Sequence, residues 1–145
     1  QSYNDGLANT IAMADAGSAL AQWARSLRIA GHDDWYIPSQ DELELCYRNL
    51  KTTAEKNYCY ARSGINLSAV PPTRPYTTTL PAQTTAKPFT ENGNEAFDAA
   101  GYWSSTRHAA VSDYAWYQYF DYGFQDYNDA SSMLRARAVR RIPIE

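Results

Sequence analysis

Leu20, Trp23, Ala24 and Leu27 recur at helical spacing, and the pattern predicts a helix from about Asp15 to Leu27, closed by Gly31. From His32 to Ile37 the period shortens, with Trp35 and Ile37 at strand spacing in a short extended piece that Pro38 ends. Ser39 and Glu42 then make the S-x-x-E capping box, in which each side chain satisfies a backbone N–H at the helix start. Leu43, Cys46, Tyr47 and Leu50 follow on one face, so a second helix is predicted from this cap to about Leu50.

Beyond residue 68 the apolar pattern lapses. Pro71, Pro72, Pro75, Pro81 and Pro88 leave no room for helix or ladder hydrogen bonds, and Ser68 to Thr90 reads as a long Pro/Thr-rich loop. Its place between two ordered halves favours an excursion over the surface, with threonine-linked sugar as the weaker alternative. Alternation resumes in two aromatic strands, Tyr102 to Thr106 and Tyr114 to Asp121, followed by a polar stretch from Tyr122 to Ser132 and a last strand near Leu134 to Ile142. Two early helices and a late run of strands point to one α+β domain over residues 1–145 with an antiparallel sheet.

Ten of the twenty aromatic residues fall between Tyr102 and Tyr127, which is too dense for a core alone. Period-two alternation sends Trp116, Gln118 and Phe120 to one face of the predicted strand and Tyr117, Tyr119 and Asp121 to the other. The first set suits a core. Tyrosines on the second supply rigid amphipathic area, and the intervening Asp, Ser and Asn supply adaptable hydrogen bonding, the mixture found in antibody paratopes. The competing reading is packing against another layer or subunit, which would bury these tyrosines permanently.

Composition narrows the classes. A chain of 145 residues, 44% hydrophobic, can bury a core without staples, and a net charge of −3 gives no reason to expect nucleic acid. No apolar run approaches the roughly 18 residues of a membrane span, so no membrane insertion is expected. The chain opens on Gln1 and reads as a processed product or the end piece of a longer polypeptide. Cys46 and Cys59 are too few for a disulfide framework, and Cys46 lies on the apolar helical stripe, so unpaired thiols are favoured over a Cys46–Cys59 bridge.

Other chemistry is thin. His32, Asp33 and Asp34 point in different directions with no second cluster to complete a metal or proton-transfer site, and a solvated turn explains them. His108 beside Arg107 precedes the tyrosine strand on a loop and is read as an ordinary exposed loop residue, with a place at the rim of the surface as the alternative. Ser104, Ser105 and Thr106 lack a positioned base and are read as hydroxyls satisfying backbone groups. Trp35, Trp103 and Trp116 are read as core or framework. No catalytic residue, metal ligand or cofactor is expected.

The runs Trp35-Tyr36-Ile37-Pro38-Ser39 with Glu42 and Leu43, Tyr102-Trp103-Ser104-Ser105-Thr106, Ala115-Trp116 with Phe120 and Gly123, and Arg137-Ala138-Val139-Arg140 together resemble the DUF1566 domain, a branch of the C-type lectin fold. The resemblance spans most of the chain. It implies a C-type lectin-like α+β domain whose aromatic signature fills the core, with a ligand surface on the loops and strands of the second half. Arg137 and Arg140 match its R-x-x-R signature and are expected to pair with carboxylates or carbonyls, leaving Arg135 and Arg141 exposed. A closer similarity is to the variable proteins of diversity-generating retroelements, in which adenine-directed mutagenesis places Tyr, Asp, Phe, Ala and Ser at displayed positions. Tyr117, Tyr119, Asp121, Tyr122, Phe124, Asp126, Tyr127, Asp129, Ala130 and Ser131 fit that set and form the candidate ligand-binding residues. Trp116, Gln118, Phe120, Gly123 and Gln125 resemble the scaffold between them.

The resemblance therefore implies a non-enzymatic recognition module: the receptor-binding tip of a phage tail, or a bacterial surface protein, contacting a protein or glycan receptor on a target bacterial cell. By analogy with tail-tip proteins it implies a homotrimer. The alternative is a calcium-independent lectin, because the E-P-N or Q-P-D loop and W-N-D strand of calcium-dependent sugar binding are missing. A formylglycine-generating enzyme of related fold needs cysteines in the carboxyl-terminal region, and none follows Cys59.

Overall fold

Three helices precede a three-stranded antiparallel sheet in the computed structural model, which describes residues 2–60 and 63–144. The class is α+β, as the element order predicts. Helix α1 (Gly6–Asp15) starts where Asp5 accepts from the Ala8 N–H, and it buries Gly6, Asn9 and Thr10. No apolar stripe marks it, because its buried side is polar and bonds backbone: the Thr10 hydroxyl meets Gly6 O and the Ile37 N–H, and Asn9 holds Ser2. The helix predicted from about Asp15 to Leu27 is the shorter α2 (Ala19–Ser26), which begins only after Ser18 caps Ala21 N–H, and α1 before it has no counterpart in the expectation. Ala21 and Ala24 are its buried residues, while Trp23 is 43% exposed. Gly31 does not close it. Leu27 is already extended, and Ala30 and Gly31, both at positive φ, turn the chain between the bridged pair Ile29 and His32 in the manner of a tight hairpin turn.

Helix α3 (Gln40–Leu50) carries the complete capping box of Ser39 and Glu42 that the sequence predicts. Glu42 does more than cap. Its Oε2 also accepts from Gly6 N–H at 3.0 Å, and its Oε1 accepts from the Tyr36 hydroxyl, so one carboxylate joins the starts of α1 and α3. Any Cβ at residue 6 would lie 2.4 Å from Glu42 Oε2 and 2.6 Å from Ile37 O, which requires glycine there. Residues 32–37 form no strand; His32 bridges Ile29 and Tyr36 bridges Val139, each as a single pair.

Strands β1 (Gly101–Arg107), β2 (Tyr114–Tyr119) and β3 (Gln125–Asp129) lie in that order. β3 corrects the expectation of an irregular polar stretch: its residues pair one for one with β2, from Gln118 opposite Gln125 to Tyr114 opposite Asp129. The last predicted strand is absent. Residues near 134–139 run extended and touch the fold through single bridges, Arg135 to Tyr102 and Val139 to Tyr36. Four ion pairs fasten this segment: Arg135 to Asp98, Arg137 to Glu95, Arg140 to Asp34 and Arg141 to Asp5. Arg137 and Arg140 pair as expected; Arg135 and Arg141, expected simply exposed, are paired too.

The core lies between α3 and the sheet, where Leu43, Tyr47, Tyr76, Phe97, Tyr102 and Phe120 cluster. Phe97 stacks on Phe120 with centroids 4.1 Å apart, and Tyr47 meets Phe120 edge-on. Tyr76 and Phe97 come from the long irregular segment between α3 and β1, so the Pro/Thr-rich stretch is not merely a surface excursion. Its Tyr76 ring is buried, and the hydroxyl donates to Glu44 inside the core. Tyr47 also donates to the buried Asn57, whose amide in turn reaches Thr77 O and Pro81 O.

Candidate ligand-recognition surface

Directly opposite residues of an antiparallel pair share a face, so the register assigns the paired side chains of the sheet to its two faces, with an irregularity in β1 between Trp103 and Arg107. Tyr102, Gln118 and Gln125 face α3, where Gln118 and Gln125 are fully buried and Gln125 bonds Gln40 O. Gln118, Phe120, Gly123 and Gln125 thus fill the interior, as scaffold residues should. Tyr117, opposite Trp103 and Asp126, and Tyr119, opposite Gly101, take the other face. That face is open enough to leave Tyr117 and Tyr119 half-buried, so the predicted division of β2 holds at these positions.

The turn between β2 and β3 explains how the face is extended. Tyr119 N–H donates to Phe124 O and Gly123 N–H to Tyr119 O, which closes Phe120–Gly123 into a tight loop. Gly123 sits at φ 88°, and a Cβ there would come within 2.2 Å of the Tyr47 ring. This turn sets Tyr122 and Phe124 beside Tyr119: the three rings are nearly parallel, with centroids 6.1 Å and 5.1 Å from Tyr119. Trp103, the buried cross-strand neighbour of Tyr117 on the same face, meets it edge-on, and Tyr117 meets Tyr119.

Two rings missing from the sequence reading complete the row. Tyr58 and Tyr60, from the segment after α3, stack on each other at 6.1 Å and both meet Phe124 edge-on. Tyr58 N–H donates to Tyr122 O, which ties this segment to the turn. Tyr58 is 55%, Tyr122 49% and Tyr60 43% exposed. The one signal in the sequence was the Tyr-Cys-Tyr alternation of residues 58–60, and pairing with a turn more than sixty residues away is not a local property.

The other candidates do not join this row. Asp121 turns inward: its Oδ1 is buried without a hydrogen-bond partner, and burial holds the carboxyl above the usual aspartate value. Tyr127 shares the opposite face with Trp116, because the two are cross-strand partners, and its ring lies 4.2 Å from His108. His108 is half-buried and not an ordinary exposed loop residue. Its ring stacks on Trp116, and Nδ1 accepts from the Ala110 and Val111 N–H groups, which folds the β1–β2 loop. Asp129, on the Tyr127 face, accepts from the Ser131 hydroxyl and N–H, which hold its carboxyl below the usual range. With Ala130 and Ser131 it forms a turn at the far end of β2, about 17 Å from Tyr119 at ordinary strand rise. Asp126 stays on the tyrosine face and also accepts from Tyr127 N–H, as Asn128 does from Asp129 N–H. The ten residues therefore occupy both faces and two ends of the hairpin.

The framework assignments divide similarly. Trp103 is buried, but Trp35 and Trp116 are only half-buried, with Arg140 lying over the Trp35 ring. The Ser104 hydroxyl bonds Trp116 O and the Thr106 hydroxyl bonds Ser2 O and Gln40 N–H, the backbone role expected of them. Cys46 and Cys59 are unpaired, and burial pushes the Cys46 thiol up to about 11. Among the described residues no three His, Cys, Asp or Glu side chains gather as a metal site, and no helix is long and apolar enough to cross a membrane.

With this geometry in view, the family model of the Lcl C-terminal domain matches residues 3–140. The chain belongs to that family. This Lcl C-terminal domain is a DUF1566-like family, in keeping with the motifs that carry the sequence resemblance. No curated protein and no solved structure matches this Lcl C-terminal domain chain.

Proposed function

We propose that this Lcl C-terminal domain is a non-enzymatic recognition module whose ligand surface is the aromatic row Tyr117, Tyr119, Tyr122, Phe124, Tyr58 and Tyr60, with Asp126 beside Tyr117. Its α+β frame is taken as a variant of the C-type lectin fold, and the ten candidate residues between Tyr117 and Ser131, interleaved with the scaffold residues Gln118, Phe120, Gly123 and Gln125, as positions diversified by a retroelement. One observation carries the reading. Toward α3 the sheet packs the buried Tyr102, Gln118, Phe120 and Gln125, while Tyr117 and Tyr119 on the other face continue through the turn and the segment after α3 as a contiguous row of large half-exposed rings, a patch of the kind that marks interaction sites. Half-exposed tyrosines offer contact area at small entropic cost, which suits a receptor-binding tip on a phage tail or a bacterial surface protein meeting a protein or glycan receptor on a target cell. Assembly as a homotrimer is part of the same proposal.

The coding DNA tests the diversification. A nearby template repeat that differs at adenines, together with a reverse transcriptase gene, is the expected finding, and tail genes alongside would decide for a virion. A template whose adenines fall outside residues 117–131 would sink the assignment of that segment. For binding, the pair Tyr119→Ala and Phe124→Ala should remove attachment to target cells in protein that remains folded by circular dichroism. Glycan-array binding lost in the same pair would favour the calcium-independent lectin alternative.

A further inference from the structure

We infer, independently of what the aromatic row binds, that Lys51 and Asn57 are a self-modification site, where the Lys51 amine displaces the carboxamide nitrogen of Asn57 and leaves an amide bond between the two side chains. Both residues lie in the segment leaving α3 and both are buried, Lys51 to 2% exposure and Asn57 to 4%. A buried lysine calls for a reason, because lysine is rarely sequestered without a charged partner. Among the described residues the Lys51 ammonium donates only to backbone carbonyls, Glu55 O and, at 3.5 Å, Pro81 O. Loss of water around it holds its pKa below the ordinary lysine value, which raises the neutral share of the amine, the form that acts as a nucleophile.

The carboxamide meets the amine at one carbonyl. Asn57 Nδ2 donates to Pro81 O at 2.9 Å, so the attacking nitrogen and the nitrogen that leaves share that acceptor. At the other end of the amide, Asn57 Oδ1 accepts from the Tyr47 hydroxyl at 2.5 Å, a bond that draws electrons from the carbonyl carbon and stabilises the oxyanion formed on attack. Burial raises the Tyr47 pKa, which keeps the phenol protonated as a donor, and Tyr76 and Phe120 hold its ring in place. Nucleophile, acyl group and oxyanion donor are thus brought together where all three are buried and water has little access to hydrolyse the carboxamide. In the step, the Nζ lone pair bonds to Asn57 Cγ, the Cγ–Nδ2 bond breaks, and one Nζ proton passes to the departing nitrogen, which leaves as ammonia. The exchange is redox-neutral and needs no co-reactant. It closes residues 51–57 into a ring ahead of Tyr58, whose N–H is bonded to Tyr122 O.

Peptide mapping of the chain, incubated folded and then denatured for digestion, tests the bond, because Lys56 lies between the two residues. In an unlinked chain trypsin cuts after Arg48, Lys51, Lys56 and Arg62 and releases 49–51, 52–56 and 57–62 separately. The linked chain should resist cutting after Lys51 and yield 49–56 joined to 57–62, lighter than the two together by one ammonia, with fragment ions that place the link at Lys51 and Asn57. The peptide decides rather than the intact mass, since Gln1 also loses ammonia when it cyclises. Tyr47→Phe, which keeps the ring and removes the donor, should lower the yield of linked peptide at a fixed incubation time by about tenfold or more. Free 49–51 with unlinked 57–62, its amide intact or hydrolysed, would overturn the inference, as would a link at another lysine. An undiminished yield in Tyr47→Phe would overturn the part given to that hydroxyl.

Discussion

Gly123 carries two constraints at one position, a left-handed backbone at φ 88° and a Tyr47 ring that would lie 2.2 Å from any Cβ. Gly123→Ala should therefore cost about 3 kcal/mol or more, read as a lower urea midpoint, because neither the backbone strain nor the overlap can relax without moving the core tyrosine. Asp121, two residues earlier, acts in the opposite sense. Its carboxyl is raised above 3.8 by burial, so the stability it contributes is complete below that value and is lost as pH rises through the folded-state value. Asp121→Asn should melt above the parent at neutral pH, with the gap closing on acidification; a gap independent of pH would disprove this account. The cysteines divide by environment as well. Cys46, packed against the core with its thiol pushed up to about 11, should resist alkylation at neutral pH in the native chain while exposed Cys59 reacts. The Cys46 environment was readable in the sequence from its place on the apolar stripe, whereas the inward turn of Asp121 was not, since alternation continued past the strand end predicts the reverse.

Among the elements, legibility follows how local the stabilising contacts are. Helix α3 was readable because its cap and its stripe of Leu43, Cys46, Tyr47 and Leu50 lie within a dozen residues. Helix α1 was not, because its buried Asn9 and Thr10 are satisfied by Ser2 and Ile37 and leave no apolar period. β3 escaped for a similar reason: Gln125 and Tyr127 owe their burial to β2, Gln40 and His108 rather than to hydrophobicity of the strand. Glu42 shows what such contacts contribute. Glu42→Ala strips the acceptor from Gly6 N–H, Ser39 N–H and the Tyr36 hydroxyl together, and should cost about 2–4 kcal/mol in denaturant unfolding, more than the loss of a cap alone. Glu42→Gln, which keeps an acceptor oxygen, should cost less. Tyr76→Ala, in a segment whose prolines suggest only a surface loop, should cost about 3–5 kcal/mol because it opens a cavity among Tyr47, Phe120 and Glu44.

For the molecule as a whole, the end segment and the aromatic row answer to different forces. Arg135, Arg137, Arg140 and Arg141 pair with carboxylates from three separate places in the chain, Asp5, Asp34 and the segment of Glu95 and Asp98, all partly open to solvent, so their contribution is screened by salt. The melting temperature should fall between low and near-molar chloride, and the fall should shrink in a chain carrying Arg140→Ala with Arg141→Ala. The row of rings should be indifferent to salt. Half-burial of Tyr117, Tyr119 and Phe124 also means that their removal costs some stability, so loss of binding must be measured on protein shown to be folded.

Residue types and their spacing determined the helix with its capping box, the two aromatic strands, the division of β2 at Tyr117 and Tyr119, and the family motifs, because each is written within a few neighbouring positions. Only the tertiary structure decided that Tyr127 and Asp129 belong to the face opposite Tyr117, that Asp121 points inward, and that Tyr58 and Tyr60 extend the row. The physical reason is register. Which face a side chain takes on a third strand, and which distant loop reaches a turn, depend on pairing across the sheet and on the core that Tyr76 and Phe97 complete from afar.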